Sequence, residues 1–333
     1  MNRAHSRFSF PRMAAMTRIS VIIPVKPGGM VKALEGLKRS EFPLDLFEVI
    51  VAEGRRPSRQ RNQAAACAAG EILYFLDDDS LVPPDAFQRV LSQFQDPEVA
   101  AVGGPSLTPT TDTPLQRAIG AALASPFGGG WVRNRYRKTG HVRSTSDREL
   151  ILCNLSFRRE TFLGFGGLDE RLYPNEENEL LERISRAGLK LVHDPELAVL
   201  RSQRPTFRAF LRQLFGYGRG RAEQTLVSLA VPVMGLMPAL FIVYLVSLPL
   251  VGSLAYAIPF ALFLLAVITG AVVEGGRAGS LPMVFRLLAI LPALHLAYGV
   301  GLLAGFARPR LHQRPPGGES VELRTVKPMG EPW

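Results

Sequence analysis

The feature that most limits how this chain can fold is an uncharged run, residues 224–273, which contains no Asp, Glu, Lys or Arg. A helix needs about 20 consecutive apolar residues to cross a bilayer. The run provides two stretches of that kind, 226–251 and 254–273, which are joined by a tight turn at Gly252-Ser253. We therefore predict two membrane spans in a chain whose N-terminal part is polar.

A third apolar segment follows at residues 281–306. It carries Arg286 near its start and His295 midway, so it is compatible with a third span, a re-entrant segment or a helix that lies flat. Three spans would place the tail outside the cell if the N-terminal part is cytoplasmic. The arginines within 308–314 instead favour a cytoplasmic tail, which two spans and a non-crossing third segment would satisfy.

A basic amphipathic segment precedes the uncharged run. In residues 206–216, TFRAFLRQLFG, apolar side chains recur at helical spacing and arginines occupy the opposite face. Such a helix can pack on a protein core or lie in a membrane interface. Six arginines and no acid between Arg201 and Arg221 favour the interface. We therefore predict an interfacial helix with its linker, a membrane region and a disordered tail at residues 201–225, 226–306 and 307–333.

The N-terminal part alternates short apolar runs with helical patterns. Strand-like runs lie at residues 18–24, 47–52, 72–76, 99–103, 152–157 and 189–192. This alternation predicts an α/β domain over residues 18–200, with a Rossmann-like, mostly parallel sheet whose ligands bind beyond the carboxyl ends of the strands. The stretch 105–150 is rich in Gly, Pro, Thr and Arg, which is typical of a functional or disordered loop.

Charge and cysteine content exclude several classes of function. The net charge of +10 points to an anionic partner, but the arginines have little aromatic surface between them, which argues against nucleic acid. Cys67 and Cys153 belong to no CxxC pair or His cluster, so neither a disulfide framework nor a zinc site is expected. Residues 1–17 are basic and lack the apolar core of a signal peptide, so we predict a disordered arm.

Three aspartates, Asp77, Asp78 and Asp79, follow the apolar run at 72–76. Adjacent carboxylates at the end of a buried strand repel each other and need a counter-charge. Clustered carboxylates suit Mg²⁺ or Mn²⁺, which commonly share their ligands with substrate phosphates. Two alternatives stay open: a solvated turn that caps the next helix, or pairing with nearby arginines. The arginines, which could equally bind nucleotide phosphates, are Arg55, Arg56, Arg59 and Arg61.

Further carboxylates lie at two other element ends. Glu53 follows the run at 47–52, where it can accept hydrogen bonds from a base or a ribose. Glu176 and Glu177 begin a predicted helix, where acids can simply stabilise the helix dipole. A carboxylate at such a position is also what an acceptor hydroxyl needs as a general base.

In this order the motifs resemble the inverting glycosyltransferases of family 2, which have the GT-A fold. The resemblance covers Arg18 to Arg221. It rests on VIIP at 21–24, VIVAEG at 49–54, SRQRNQAAACAAGEILYFLDDDS at 58–80 and CNLSFRRETFLGFGGLDERLYPNEENELLERISRAGLKL at 153–191. Glu177 replaces the more usual Asp of the ED pair. The QxxRW signature of processive synthases is absent. The segment RQLFGYGRGRA at 212–222, together with the stretch 105–150 and the terminal apolar spans, is most similar to succinoglycan-type exopolysaccharide glycosyltransferases.

The resemblance implies a role for each matching residue. Asp77 and Asp79 take the two places of the DxD motif and would hold Mg²⁺ or Mn²⁺, and Glu177 would be the catalytic base. Nucleotide binding is implied for Pro24, Glu53, Arg59, Arg61, Asp77 and Asp78. The acceptor side is implied to include Asn154, Gly167, Asp169, Glu176, Gln213, Arg219 and Arg221. The arginines would then pair mainly with substrate phosphates, and the ligand would supply the main counter-charge of the aspartates.

The implied protein is a membrane-bound hexosyltransferase of cell-surface polysaccharide synthesis. It would move a sugar, with inversion, from a nucleotide-sugar donor, most often UDP-linked, to a polyprenyl-diphosphate-linked or other lipid-linked acceptor. It would be a multi-pass protein of the cytoplasmic membrane whose catalytic domain faces the cytoplasm. One alternative is a polyprenyl-phosphate glycosyltransferase of the dolichyl-phosphate-mannose type, and another is a non-catalytic membrane adaptor that binds anionic lipid.

Overall fold

The computed structural model describes residues 18–229, 233–311 and 320–333, so the predicted arm at 1–17 lies outside the described residues. The strands in these ranges are β1 (Ile19–Val25), β2 (Phe47–Glu53), β3 (Ile72–Leu76), β4 (Val99–Gly103), β5 (Ser106–Leu107), β6 (Arg143–Ser144), β7 (Asn154–Arg158), β8 (Lys190–His193), β9 (Val199–Leu200) and β10 (Glu322–Lys327). β1 and β3 are buried throughout and rich in apolar residues, as expected for strands that are covered on both faces.

The helices cover both faces of the sheet and continue beyond it. In chain order they are α1 (Ala33–Leu37), α2 (Pro57–Cys67), α3 (Ala86–Gln93), α4 (Pro114–Ala124), α5 (Arg159–Gly164), α6 (Glu176–Arg186), α7 (Phe207–Ser228), α8 (Met237–Val251), α9 (Leu254–Arg277) and α10 (Leu281–Ala307). One apolar core joins α1 and α3 to the sheet, and a second joins α2, α5 and α6 to its other face. A third core is formed by α4, α7, α9 and α10.

The main sheet is mixed. Its strand order is β10-β2-β1-β3-β7-β4-β8-β6, while β5 and β9 pair separately. β1 is parallel to β2 and β3, and β4 is parallel to β8, but β7 is antiparallel to both β3 and β4. The predicted α/β class is therefore confirmed. The prediction of a mostly parallel sheet is corrected, because β7, β6 and β10 each enter antiparallel to a neighbour.

The parallel strands bring the predicted donor residues to one edge of the sheet. β1, β2 and β3 run in the same direction, so their carboxyl ends at Val25, Glu53 and Leu76 lie together, and Asp77 follows directly. A bridge between Leu81 and the last residue of β9 places the segment that follows β9 beside the three aspartates.

The predicted interfacial helix at 201–225 is part of α7, and its apolar face packs on protein. Phe210 and Leu214 are buried in the core that α7 shares with α4 and α10. The backbones of α7 and α10 approach so closely that a Cβ atom on Gly218 would lie 2.0 Å from the carbonyl oxygen of Tyr298. The apolar face of α7 therefore packs on a protein core, which is the first of the two alternatives. The prediction that this face lies in a membrane interface is corrected.

The described residues of the predicted membrane region are mostly helical, but the helix boundaries differ from the prediction. α8 begins at Met237, not at 226, with Pro238 in its first turn, where proline is well tolerated. Its 15 residues would span about 22 Å, which is less than the ~30 Å core of a bilayer. α9 and α10 are long and apolar enough to cross a membrane, and 11% and 39% of their most apolar windows are buried. α10 is more buried because α4 and α7 cover one of its faces.

The prediction of a disordered tail is wrong for β10. This strand pairs with β2 in antiparallel register, from Glu322 opposite Glu53 to Lys327 opposite Val49, with one irregularity. The short sequence ELRTVK alternates polar and apolar residues weakly, and its partner lies far away in the chain. Local sequence therefore could not indicate that it completes the edge of the sheet.

The side chain of Lys327 holds β10 against the segment that leads into β2. We expect its replacement by Ala to lower the free energy of unfolding by about 3 kcal/mol. The side chain is fully buried, and its Nζ donates to the carbonyl oxygens of Leu44, Phe47 (2.9 Å) and Pro328 (3.1 Å). Truncation leaves buried carbonyl groups without their donor. Urea unfolding in detergent measures the effect, and Arg324→Ala, at an exposed position of the same strand, is the matched control. Equal losses in the two variants would contradict this assignment.

Candidate active site

The centre of the site is the pair Asp77 and Asp79, which two guanidinium groups contact. Arg61 donates from Nη2 to Asp77 Oδ1 at 2.7 Å. Arg201 reaches both acids, with Nη2 3.0 Å from Asp77 Oδ2 and Nε donating to Asp79 Oδ1 at 2.7 Å. The repulsion that the sequence predicts between these carboxylates is therefore relieved by arginine in this structure.

These contacts correct the predicted use of the arginines. Arg61 was expected to face nucleotide phosphates, but it is 4% exposed and its guanidinium group lies between Asp77 and Glu176. Arg201 was not singled out as a site residue. The available signal was the basic segment 201–221, and nothing in its pattern indicates which arginine returns to the aspartates.

Asp78 differs from its two neighbours. Its backbone carbonyl accepts a hydrogen bond from Ala33 N at 2.9 Å, which anchors the start of α1. Burial, followed by repulsion from Asp79 and Asp77, raises the pKa of the Asp78 carboxyl group. Within the part of the chain that the structure describes, its side chain takes part in no salt bridge. We therefore assign Asp78 to the shape of the turn.

The second pair of carboxylates begins α6 and is buried. Glu176 is 2% exposed and Glu177 is 8% exposed, which is unlike solvated acids that merely stabilise a helix dipole. Asn175 precedes them with φ of 83°, a left-handed conformation that Asn adopts more readily than most residues. Arg61 Nη1 lies 3.6 Å from Glu176 Oε1, and Arg135 Nη1 lies 4.0 Å from Glu177 Oε1. One buried arginine thus connects the aspartates to the acids of α6.

The pKa of Glu176 is strongly shifted in this site. Burial is the main cause that raises the pKa of Glu176 to about 8, and the nearby charge of Glu177 adds to it, while Arg61 opposes both. The raised pKa favours the protonated form of Glu176 in this buried site.

We expect this raised pKa to make stability depend on pH. The folded chain retains a proton on Glu176 that the unfolded chain releases near pH 4.5, so the free energy of unfolding falls as pH rises from about 4.5 to 8. Glu176→Gln removes this contribution, and the variant should gain stability relative to the parent between pH 5 and pH 8. Urea unfolding at both pH values tests this, with Glu182→Gln on the same helix as control. An unchanged difference between parent and variant would show that Glu176 does not titrate in this range.

The irregular stretch 105–150 supplies a residue that the sequence did not indicate. Arg135 lies in a 3₁₀ turn and donates to the carbonyl oxygen of Arg148 at 3.0 Å and to Asn178 Oδ1 at 2.5 Å. These bonds connect the stretch to α6 beside Glu177. The stretch is therefore ordered and includes the helix α4, so a disordered loop is the wrong alternative, and its functional role stays a prediction.

The remaining predicted nucleotide-binding residues lie at the same sheet edge. Glu53 ends β2, is half-buried, and accepts a hydrogen bond from Gly28 N at 3.1 Å. Pro24 is buried in β1 opposite Ala52 and shapes the strand end. Arg59 lies half-buried on α2. Glu53 and Arg59 therefore stay proposals for donor binding.

Asn154, which was predicted on the acceptor side, lies in the protein core. It is fully buried, its Nδ2 donates to the carbonyl oxygen of Leu197 at 2.5 Å, and its Oδ1 accepts from the Tyr74 hydroxyl at 2.7 Å. Because its amide is engaged inside the protein, this prediction is corrected to a structural role.

Gly167 and Asp169 line a cavity of about 790 Å³. Gly167 has φ of 71°, and a Cβ atom there would lie 2.6 Å from Asn62 Oδ1, so only glycine fits the turn. Burial raises the pKa of Asp169, but hydrogen bonds from Arg171 outweigh it and lower the pKa overall. The other lining residues come from α2, α5, α6, the segment before α6 and the end of α7: Asn62, Phe162, Leu163, Gly166, Leu168, Glu170, Arg171, Glu179, Arg183 and Val227.

Three further residues predicted on the acceptor side lie on α7. Gln213 donates to the Tyr217 hydroxyl at 2.8 Å, Arg221 donates to Gln224 at 3.0 Å, and Arg219 lies over an aromatic ring of the same helix. In the described residues these contacts stay within α7 and do not join the aspartate pair. Their acceptor role stays a prediction.

The donor atoms at the aspartate pair fit a divalent cation that is shared with phosphate. Mg²⁺ and Mn²⁺ prefer carboxylate oxygens and are commonly bound through one or two carboxylates together with substrate phosphates. Asp77 and Asp79 supply two carboxylates, and the Asp79 side chain is 40% exposed. Across residues 18–229, 233–311 and 320–333, no group of three or more His, Cys, Asp or Glu could form a cage. A divalent ion held by these two carboxylates would thus keep coordination positions for a ligand.

Comparisons with known proteins show what the domain that carries this site is similar to. A family model described as Glycosyl transferase family 2 matches residues 30–163. The succinoglycan biosynthesis protein ExoA of Rhizobium meliloti is 25% identical over 225 residues, which are 66% of this chain and 65% of that protein. The O-antigen biosynthesis protein RfbC of Myxococcus xanthus is 31% identical over 166 residues, which are 44% of this chain and 12% of that protein. The match thus spans less than two thirds of each relative.

A solved structure shares the fold. The mannosyltransferase PcManGT from Pyrobaculum calidifontis, in complex with GDP-Man and Mn²⁺, superposes with a TM-score of 0.55 at 16% identity, covering 87% of this chain and 88% of that one. At this identity the likeness concerns the fold alone.

Proposed function

We propose that this chain, which contains a glycosyltransferase family 2 domain with a GT-A-like fold, transfers a sugar, with inversion, from a nucleotide-sugar donor to a lipid-linked acceptor. The observation that carries the proposal is the position of Arg61 between Asp77 and Glu176. It brings a carboxylate at the donor edge of the sheet and the carboxylates of α6 within the reach of one guanidinium group, so donor and acceptor can meet there.

On the donor side, Asp77 and Asp79 would hold Mg²⁺ or Mn²⁺. When bound, such an ion neutralises the charge that develops on a departing diphosphate. Glu53 and Arg59 are proposed to contact the nucleotide from the edge of the sheet. We favour a UDP-sugar, and a panel of UDP- and GDP-sugars tests this choice.

On the acceptor side, Glu177 would accept the proton of the attacking hydroxyl. Arg135 lies beside Glu177, and burial raises the pKa of Glu176, so the two acids can take different roles. The nucleophile approaches the anomeric carbon opposite the leaving diphosphate, which inverts its configuration. The cavity beside Gly167 and Asp169 is the proposed place for the acceptor sugar.

The acceptor class is proposed from the relatives whose names concern succinoglycan and O-antigen biosynthesis. Incubation with undecaprenyl diphosphate that carries a sugar, and separately with undecaprenyl phosphate, separates this proposal from a polyprenyl-phosphate glycosyltransferase. We expect product with the diphosphate-linked sugar only. Product with undecaprenyl phosphate alone would support the alternative, and no turnover of any nucleotide sugar would support the non-catalytic adaptor.

We also propose that the apolar helices attach the domain to the cytoplasmic membrane. The outer faces of α8 and α9 expose large apolar side chains, among them Leu240, Val243, Val246, Leu250, Leu254, Ile258, Leu262, Leu265 and Ile268. β10 follows these helices in the chain yet pairs with β2 of the catalytic sheet. Strands of one hydrogen-bonded sheet lie on the same side of a membrane. The proposal therefore requires that the chain crosses the membrane an even number of times between α7 and β10.

Cysteine labelling tests this topology. Cys67 is exposed on the catalytic domain and Cys153 is buried, so the parent chain reports one side of the membrane. A second chain carries Glu331→Cys together with Cys67→Ser. We expect a membrane-impermeant maleimide to label both chains in vesicles of the same orientation. Labelling from opposite sides would contradict the even number of crossings.

A further inference from the structure

Arg201 is a half-buried cation that contacts both aspartates at the proposed metal site. Its side chain is 20% exposed. Its backbone is fixed on both sides: Arg201 N donates to Leu107 O at 2.9 Å, and Leu200 exchanges two backbone hydrogen bonds with Leu81, just past the aspartates. The guanidinium group is thus held against the carboxylates by the strand that precedes it.

The contacts occupy most of the oxygens that a metal ion would use. Asp77 Oδ1 accepts from Arg61, while Asp77 Oδ2 and Asp79 Oδ1 face Arg201. In the described residues this leaves Asp79 Oδ2 as the carboxylate oxygen of the pair without a side-chain partner. A divalent ion that binds both aspartates would therefore compete with a guanidinium group for these oxygens, and Arg201 is the more exposed of the two arginines.

Displacement of Arg201 alone would be unfavourable, because it leaves a largely buried cation without its partners. A nucleoside diphosphate changes this balance, since its oxygens can accept the same guanidinium donors in a bidentate geometry. The aspartates then become available to the ion at the moment when the diphosphate arrives.

We propose that the guanidinium group of Arg201 neutralises the aspartate pair until substrate binds. When a nucleoside diphosphate binds, the guanidinium group pairs with the diphosphate, and a divalent ion replaces it at the aspartates. The inference rests on the proposed function and names Arg201 as a residue that couples the binding of the metal to the binding of the nucleotide. It requires that metal and nucleotide increase each other's affinity. The nucleotide gives the displaced guanidinium group a new partner, and the metal neutralises the aspartates that this group has left.

Binding of Mn²⁺ tests the proposal without any turnover. Free Mn²⁺ is measured by electron paramagnetic resonance with the full chain in detergent, with and without UDP. For the parent we expect weak binding of Mn²⁺ alone and at least about tenfold tighter binding with UDP. For Arg201→Gln we expect Mn²⁺ alone to bind about tenfold more tightly than to the parent, and the gain from UDP to shrink accordingly.

Arg208→Gln is the matched control, because it removes one positive charge from an exposed position of α7. It should behave as the parent does. Should Arg201→Gln fail to fold by circular dichroism, Arg201→Lys keeps the charge and loses the planar fork, and Mn²⁺ affinity should rise by a smaller factor.

Two results would overturn the inference, and they are distinguishable. If a folded Arg201 variant binds Mn²⁺ no more tightly than the parent, the role of Arg201 fails while metal use by the aspartates survives. If the parent binds no Mn²⁺ even with UDP, metal use itself fails, and the inference fails with it.

Discussion

Replacing Glu177 with Gln should lower the rate of sugar transfer by about 10²–10⁴-fold and leave the affinity for the nucleotide unchanged. Gln has nearly the same shape but cannot accept a proton from the attacking hydroxyl. Glu177 is buried at the start of α6, and Arg135 is the cation nearest to it, so the loss should appear in kcat. Transfer of radiolabelled sugar to a lipid-linked acceptor measures it.

Glu182→Gln is the control for this prediction. Glu182 lies on the same helix, where it pairs with Arg186 at 2.6 Å on the outer face, and its replacement should keep the parent rate. A Glu177→Gln protein that transfers sugar as fast as the parent would show that another group is the base. The adjacent Glu176 would be the first candidate, and Glu176→Gln would then lose the activity.

Replacing Asp79 with Asn should lower the Mn²⁺-dependent affinity for the nucleotide sugar by about 100-fold. Asp79 is half-exposed at the end of the strand and has an oxygen free of described side-chain contacts, so its charge is available to an ion. Isothermal titration of the nucleotide sugar, with Mn²⁺ and with a chelator, gives the metal-dependent part.

Asp78→Asn is the control with the same chemical change one position away. The backbone of Asp78 supports α1 and its carboxyl group has a raised pKa, so the variant should bind within about threefold of the parent. Equal losses for Asp78 and Asp79 would mean that the turn, not a metal ligand, governs donor binding.

The carboxylates of the site could be predicted from the sequence, because their positions follow from local rules. Asp77 comes directly after an apolar strand, and parallel strands bring their carboxyl ends to one edge. Glu176 and Glu177 precede a clear helical pattern. Each prediction needs only the neighbouring residues and the class of the sheet.

The cations of the site could not be predicted in the same way. Arg61, Arg135 and Arg201 come from a helix, an irregular loop and a segment after a two-residue strand, and only the tertiary structure brings them together. The same holds for β10, whose partner strand lies at the other end of the chain. The prediction for the apolar face of α7 is wrong because a helix that packs on lipid and a helix that packs on α10 show the same spacing of apolar residues.

The configuration of the new glycosidic bond is the most direct test of the central claim. Purified protein in lipid vesicles is supplied with Mn²⁺, an α-linked UDP-sugar and a sugar-bearing undecaprenyl diphosphate, and the product linkage is determined by proton NMR. The single displacement at Glu177 predicts a β-linked sugar on the acceptor. An α-linked product, or release of free sugar without transfer, would contradict it.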